Sequence, residues 1–462
     1  VKGVSVTIVV CKRESPSTSL SVKTVGTSGQ ILIDALTWGA KWASADGSKL
    51  VIPVSIYNPA SSNAWSYKPN SAELSAVDRL TSAYESFLNI DFSFSLNTGS
   101  SFEGISFVIA KGNAGGTLGF AQSPGENSFM GVPYSVINIY HDNYKSGPNS
   151  TIVAGGLDYA TYLHEFGHAL GLTHPHDNDR ADGSIGAGIP GVNGNSQNLG
   201  VFALNQGVNT IMGYNNGWQS GPLGPSTSTE FGYQATPMAL DIMALQRLYG
   251  ANLTYHLGDD QYQLANVNGG YFCIWDAGGN DTLRGAANLS NNIDLRAATG
   301  LVEQGGGGWV SYVSGLQGGF TIAVGVTIEN AIGGNLADVI TGNNAANHIT
   351  GGGGADILTG GNNRDVFVYS AISDSTVNQI DVIRDFVESY DQLDFSAIDA
   401  NLNLGGDQAF QMVSNFTGAA QIVCLDNGTD TLIYANVDSD LTADFCLKLS
   451  GHHVLTSTDF IF

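Results

Sequence analysis

The sequence predicts a chain of two halves, α+β at the N-terminal side and all-β at the C-terminal side. Three observations carry that division. Apolar residues recur at helical spacing in several segments before about residue 250 and in none after it. Beyond that point Gly, Asn and Asp punctuate short apolar pairs. Residues 333–368 then repeat with a period of nine. The organisation expected is an N-terminal segment over 1–29, an α+β domain over 30–250 and an all-β domain over 251–462.

In chain order, residues 4–11 are apolar but short and lack a small-residue cleavage site, so they read as a strand or a remnant of a pro-segment. Residues 30–43 and 71–88 read as helices. In the second, Leu74, Val77, Leu80, Tyr84 and Phe87 make the apolar stripe, and Asn70 and Glu73 stand where a cap and its reciprocal acid belong. Strands are expected at 50–57, 90–96, 105–110 and 135–140, and a third helix over 158–172. Residues 176–235, rich in Gly, Asn and Ser, read as loop. Thr236 is placed to cap a last helix, with Pro237 in its first turn, Met238, Ile242, Leu245 and Leu248 as its stripe and Gly250 past its end.

Charge narrows the function. Asp and Glu number 41 against 17 Lys and Arg, a net charge of −24 that repels nucleic acid and anionic membrane surfaces. No run of about 18 apolar residues is present to span a bilayer. The excess of carboxylates, together with 60 glycines, fits a protein that binds hard cations through carboxylate and backbone oxygens. Cys11, Cys273, Cys424 and Cys446 form no CxxC pair and read as buried thiols, with a Cys424–Cys446 disulfide as the alternative. By itself the ending Asp459-Phe460-Ile461-Phe462 reads as a final strand.

Chemistry concentrates in residues 164–174, which read HExxHxxGxxH. His164 and His168 are four apart, so both imidazoles leave one helix face toward one metal. Glu165 faces the same cavity, placed to take a proton from a metal-activated water. Gly171 lets the chain turn sharply out of the helix and return His174 as a third ligand. Three imidazoles leave one coordination position open, the arrangement of a catalytic zinc site. Downstream, Met212 and Tyr214 follow a long loop; Met212 is placed beneath the metal, and Tyr214 to reach the zinc as an extra ligand or to donate to an oxyanion. The remaining histidines, His141, His176, His256, His348, His452 and His453, read as surface or turn residues.

Written in rows of nine, residues 333–368 carry Asp338, Asn347, Asp356 and Asp365 in the sixth column and Ile340, Ile349, Leu358 and Phe367 in the eighth. This is the GGxGxDxUx pattern of a calcium-binding parallel β-roll, in which the acid supplies charge and the apolar residue enters the core. The fourth column is Leu336, Ala345, Gly354 and Asn363 where Gly is expected, and Asn347 replaces an Asp. Fewer or weaker ion sites are therefore expected than in an ideal array.

With these residues assembled, the chain resembles the serralysin family of secreted bacterial zinc metalloproteases, metzincins with a C-terminal RTX β-roll. The resemblance covers most of residues 30–462. It rests on HEFGHALGLTHP (164–175), NTIMGY (209–214), ALDIMALQRLYGAN (239–252), IWDAGGNDTL (274–283), VTIENAIGG (326–334), the nonapeptide rows and the terminal DFIF. It implies a metzincin catalytic domain followed by a β-roll and β-sandwich domain, one catalytic zinc and several structural calcium ions. His164, His168 and His174 become zinc ligands, Glu165 the general base, and Tyr214 a switching ligand and transition-state donor. Gly119, Phe120, Ala121 and Gln122 become the edge strand that binds an extended peptide.

Calcium contacts are implied at His256, Gly258 and Asp260, and at Asp276, Gly278, Gly279 and Asp281. They continue at Thr327 and Glu329, then at Gly334, Leu336 and Asp338. The rows add Asn343, Ala345, Asn347, Gly352, Gly354 and Asp356, then Gly361, Asn363 and Asp365, with Asp374 and Asp381 beyond them. The implied partners are protein substrates, a proteinaceous inhibitor and a type I (ABC) export apparatus that reads the C-terminal signal. No nucleic-acid or membrane partner is implied, and a secreted, extracellular monomer is. Departures are Phe166 where a branched aliphatic is commoner, Gly213 where Ser is, the unmatched residues 1–29, and four cysteines in a cysteine-poor group. A metal-blocking role for Cys11 is the less favoured reading of that thiol. A non-catalytic calcium-dependent adhesin and a zinc amidase are the rival classes, and the intact glutamate beside three histidines speaks against the first.

Overall fold

The computed structural model describes residues 20–62, 66–98, 103–111, 116–140, 152–177 and 188–462. The expected strand at 4–11, Cys11 and His141 lie outside them. The N-terminal half contains β1 (Leu20–Thr24), α1 (Ile31–Ala35), β2 (Ala40–Ser44), β3 (Val51–Tyr57) and α2 (Ser71–Glu85). It continues with β4 (Asp91–Asn97), β5 (Gly104–Ala110), β6 (Gly119–Ala121), β7 (Asn127–Phe129), β8 (Val132–Tyr140), α3 (Leu157–Ala169) and α4 (Ala239–Tyr249). A six-stranded sheet runs β4-β3-β5-β8-β6, with β7 also paired to β8. Its first four strands are parallel, and β6 lies antiparallel along β8 at the edge.

Alternate residues of these strands are β-branched or aromatic and point into one core: Val54, Ile56, Ile105, Phe107, Ile137 and Ile139 are fully buried. Helices α2 and α3 cover that face. Phe166 is the hub, with its ring centroid 5.1 Å from Tyr84, 5.2 Å from Phe92 and 5.8 Å from Phe107. The aromatic residue found where a branched aliphatic is commoner thus fills a pocket built from three other rings. Tyr84 Oη also donates to Leu163 O at 2.9 Å, fixing α3 against α2. The start of α2 is the capping box that Asn70 and Glu73 announce: Glu73 N donates to Asn70 Oδ1 and Asn70 N to Glu73 Oε2.

Two expected elements differ. The helix over 30–43 is only α1, because the chain leaves the helix at Leu36, Thr37 bridges to Leu172 and β2 pairs antiparallel with β1. A pairing partner nearly twenty residues upstream outweighs local helical periodicity here. Trp42, fully buried on β2, donates through its indole to Ala169 O at 2.8 Å and so closes the end of α3. Nor does Thr236 cap α4. Its hydroxyl accepts from Cys273 N, and α4 starts at Ala239 with Asp241 accepting from Met238 N.

In the C-terminal half come β9 (Gln261–Gln263), β10 (Tyr271–Ile274), β11 (Thr282–Arg284), β12 (Asn291–Asp294), β13 (Tyr312–Val313) and β14 (Gly319–Ile322). Then follow β15 (Asn330–Gly334), β16 (Val339–Thr341), β17 (His348–Gly352), β18 (Ile357–Thr359), β19 (Val366–Val368), β20 (Asp381–Ile383) and β21 (Gln392–Asp394). The last strands are β22 (Gln411–Met412), β23 (Gln421–Asp426), β24 (Asp430–Asn436), β25 (Phe445–Ser450) and β26 (Phe460–Ile461). Successive strands from β15 to β21 fall alternately into a seven-stranded sheet, β26-β21-β19-β17-β15-β11-β9, and a nine-stranded one, β13-β12-β16-β18-β20-β25-β24-β23-β22.

The period of nine therefore appears as a register of eighteen. Ile340 pairs with Leu358 and Ile349 with Phe367, all buried. The C-terminal Phe460 and Ile461 pair in parallel with β21, so the ending is a strand. Cys273, Cys424 and Cys446 are free thiols. Cys424 and Cys446 lie on β23 and β25 with β24 between them, which rules out the disulfide alternative. No helix among the described residues is long and apolar enough to cross a membrane.

Candidate metal centre

Helix α3 sets His164 and His168 one turn apart, with ring centroids at 4.8 Å. The chain then leaves the helix through Gly171 at φ +108°, where a Cβ would stand 2.6 Å from Ala40 O. Only glycine meets both conditions. The turn returns His174 so that the three Nε2 atoms lie 3.1–3.2 Å apart.

Each ring is oriented by its other nitrogen. Nδ1 of His164 donates to Ile211 O at 2.8 Å, that of His168 to Leu172 O at 2.9 Å, and that of His174 to Asp177 Oδ2 at 2.7 Å. With the proton on Nδ1, all three Nε2 lone pairs converge on one point. Burial, and then the neighbouring rings, favour the neutral form of two of them: His164 is pushed down to about 3 and His168 is held well below its ordinary value.

Convergent lone pairs repel unless a cation separates them, so this donor set fits a metal. Zinc–nitrogen bonds of 2.0–2.1 Å in a tetrahedron place the nitrogens about 3.3 Å apart, close to the spacing seen. Tyr214 Oη lies 3.1 Å from His174 Nε2 on the open side, and the residue is 49% exposed. Burial and then Glu165 and Asp177 raise its phenol above the ordinary value. Glu165 is buried, and burial alone pushes its carboxyl up to about 8.

The edge strand β6 presses on Glu165. A Cβ on Gly119 would stand 2.5 Å from Glu165 Oε1, so the strand approaches this closely only because residue 119 has no side chain. Leu118 O accepts from Tyr140 N and Gln122 N donates to Val136 O. Antiparallel alternation then turns the backbone groups of Gly119 and Ala121 away from β8, toward the cleft side of the edge. Phe120 lies between them and is exposed; Gln122 follows the strand.

Met212 is fully buried under α3; a Cβ on Gly167 would stand 2.9 Å from its sulfur. Three further residues shape the site, and the motif did not disclose them. Asp241 accepts from Thr210 Oγ1, Ile211 N and Met238 N, which fixes the turn whose Ile211 carbonyl orients His164. Burial pushes this carboxyl up to about 7 while its three donors pull it down. Asp177 orients His174; burial favours its neutral form, but hydrogen bonds from His174 and Thr173 hold it at about 2. His176, read as a surface residue, is instead stacked 4.9 Å from His174 and lies tilted 5.0 Å from the Tyr214 ring. Asp177 stands three residues beyond His174, the one sequence signal that pointed to it.

The second set of expected ligands lies between the C-terminal strands. Here one carboxylate oxygen of each residue accepts the backbone N–H of a residue in the preceding coil. Asp281 serves Asp260, Asp356 serves Asp338, Asp381 serves Asp356, and Asp365 serves Asn347, all at 2.8 Å. The other oxygen of each of these four acids is buried without a hydrogen-bond partner among the described residues. Burial is the chief cause that raises them, Asp281 to about 6, Asp356 and Asp365 to about 7, and Asp381 to about 8.

Glycines make room for the cradles. A Cβ on Gly351 or Gly360 would stand 2.2 or 2.3 Å from the orphan oxygen of Asp356 or Asp365. Backbone carbonyls stack in the same turns: a Cβ on Gly352 would meet Gly334 O, one on Gly361 would meet Asn343 O, and one on Gly354 the Leu336 carbonyl carbon. On the other side, Gly258 O and Asp281 crowd Gly279, and Asp281 N donates to Glu329. Oxygen donors without hydrogen-bond partners, in a cradle lined by carbonyls, fit a hard cation.

Not every expected ligand is poised this way. Asp276 is served by Gly278 N and Tyr262 Oη, Asp338 by Asn291 and Gly334, and Asp374 caps the turn at Ser370 and Ala371. His256 Nδ1 lies 3.5 Å from Asp260 and 4.0 Å from Asp276. Thr327 is exposed, Ala345 N donates to the Asn343 side chain, and Asn363 takes φ +70° in the glycine position.

Comparison with known proteins identifies the family. A family model described as "Peptidase M10 serralysin C terminal" matches residues 246–462. Serralysin C of Dickeya chrysanthemi is 37% identical over 372 residues, covering 75% of this chain and 70% of that protein. Serralysin A of the same organism is 36% identical, covering 75% and 69%. Metalloprotease AprA of Pseudomonas entomophila is 35% identical, covering 73% and 71%.

Removing the orienting carboxylate tests the site directly. Asp177→Ala frees the His174 ring and should weaken zinc binding by about 10–100-fold. Competition against a chromogenic chelator measures this; an affinity equal to that of the unaltered protein contradicts the assigned role.

Proposed function

The chain belongs to the serralysin family of zinc metallopeptidases, and on that premise we propose that it is a secreted endopeptidase that hydrolyses extracellular proteins. Residues 30–250 serve as the catalytic domain and 251–462 as a calcium-binding β-roll and sandwich domain, with 1–29 a leading segment. The observation that carries this reading is the convergence of three imidazole lone pairs beside a buried carboxylate and a strand edge that no other described strand covers.

When held by His164, His168 and His174, zinc supplies Lewis-acid polarisation of the scissile carbonyl and acidification of the attacking water. An extended substrate segment adds antiparallel to Gly119–Ala121, taking up the backbone groups that β8 leaves free, with Phe120 and Gln122 flanking. Glu165 accepts the proton of the attacking water and delivers it to the leaving amine. Burial favours its neutral form and a nearby cation favours its ionised form, so the group stands between the two states, as a shuttle must. Tyr214, on the open side, donates its hydroxyl to the oxyanion.

In the C-terminal half the orphan carboxylate oxygens support calcium as the structural ion. In a calcium-poor cell interior those acids repel one another and keep the chain unfolded for export through a type I apparatus. The C-terminal Asp459 and Phe460 are buried in the fold, so an export signal there is readable only before folding. Protein substrates and a proteinaceous inhibitor are the partners this reading carries, for a chain acting as a monomer.

Two outcomes test these roles. Glu165→Ala should keep zinc, measured by metal analysis, while casein hydrolysis falls about 10³-fold or more; near-normal hydrolysis contradicts the assignment. For the acids, folded-state values near 6–8 lie above the unfolded value of about 4, so their contribution is fully present below about pH 4 and is lost as pH rises through 6–8. Without divalent ions, the urea midpoint of the C-terminal transition should therefore fall between pH 4 and pH 8. Millimolar calcium should restore it at pH 8. A midpoint unmoved by calcium contradicts the proposal.

A further inference from the structure

We propose that the side-chain amides of Asn347 and Asn291 take the place of calcium ions at two positions of the carboxylate columns, so that these two rungs are held without a cation. The inference rests on the calcium reading of the columns given above.

The comparison is between neighbouring rungs of one column. At Asp365, Oδ1 accepts Asn347 N and Oδ2 is buried without a donor. At Asn347, one coil earlier, nothing is left over. Its Oδ1 accepts Asn343 N at 2.8 Å. Its Nδ2 donates to Glu329 O at 2.9 Å and to Asn343 Oδ1 at 3.1 Å. The NH2 group thus faces two oxygens that a cation would otherwise hold, and its hydrogens supply the positive charge those oxygens need. A divalent ion at this point would meet the amide hydrogens instead of a carboxylate.

In the other column Asn291 does the same. Its Nδ2 donates to Ala286 O at 3.1 Å, Leu289 O at 2.9 Å and Asp338 Oδ1 at 3.0 Å, and its Oδ1 accepts Ala286 N at 2.7 Å. Asp338 is consequently satisfied at both oxygens, the second by Gly334 N, whereas Asp356 in the next coil keeps an orphan oxygen. Both asparagines are fully buried or nearly so, so water does not serve these oxygens in their stead. The columns therefore divide into cation-dependent rungs at the orphan acids and amide-closed rungs that persist in chelator.

Equilibrium dialysis of the full zinc-loaded chain against radioactive calcium, at about 10 mM total calcium to exceed an affinity of 10⁻⁴–10⁻³ M, counts the ions. Asn347→Asp restores a carboxylate and should bind one calcium more than the unaltered chain. Asn347→Ala should bind the same number. A count unchanged in the aspartate variant, or reduced by one in the alanine variant, overturns the proposal. An unaltered chain that binds no calcium at all instead overturns the calcium reading on which the proposal rests, so the two failures are distinct.

Discussion

Three imidazole nitrogens with their lone pairs turned on one another cannot sit 3.1–3.2 Å apart in a buried site without something that pushes them together. The N-terminal half is that something. Helix α3 supplies two rings at fixed spacing, Gly171 supplies the reversal, and Ile211, Leu172 and Asp177 each lock one ring through Nδ1. The lock reaches outward: Asp241 holds the Ile211 turn, and Trp42 closes the end of α3. Phe166, on the same helix as His164 and His168, anchors that helix in the aromatic core. A cation converts the repulsion into coordination, and the pre-set geometry makes the binding specific.

The C-terminal half repeats the constraint with oxygen in place of nitrogen. Four of its positions bury a carboxylate with one oxygen used and one left over, a costly arrangement unless a cation compensates it. Asp281, Asp356, Asp365 and Asp381 each keep such an oxygen, whereas Asn347, Asn291 and the Asp338 that Asn291 serves have every side-chain oxygen hydrogen-bonded.

How much of this the chain's letters disclosed follows from how local each feature is. The His164–Glu165–His168–His174 geometry follows from helix pitch and one glycine, so spacing alone revealed it. The eighteen-residue register of Ile340 with Leu358 follows from the period of nine. The Asn70–Glu73 cap spans three residues and was equally plain. What stayed hidden is long-range. Residues 40–44 carry helical periodicity, but β1 captures them as a strand. Cys424 and Cys446 seem adjacent until β24 is inserted between them. Asp241 acts on a turn thirty residues away, and His176 matters only because folding sets its ring against those of His174 and Tyr214. In the columns, equivalent sixth-column residues differ in whether neighbouring amides satisfy them, a property of packing rather than of position.

The most direct test of the central claim is X-ray absorption at the zinc edge on the full chain after exhaustive dialysis against adventitious metal. The account predicts a single tightly held zinc per chain with three imidazole nitrogens at ~2.0–2.1 Å and the remaining scattering from oxygen. Absence of zinc, or a shell containing sulfur at ~2.3 Å, would contradict it.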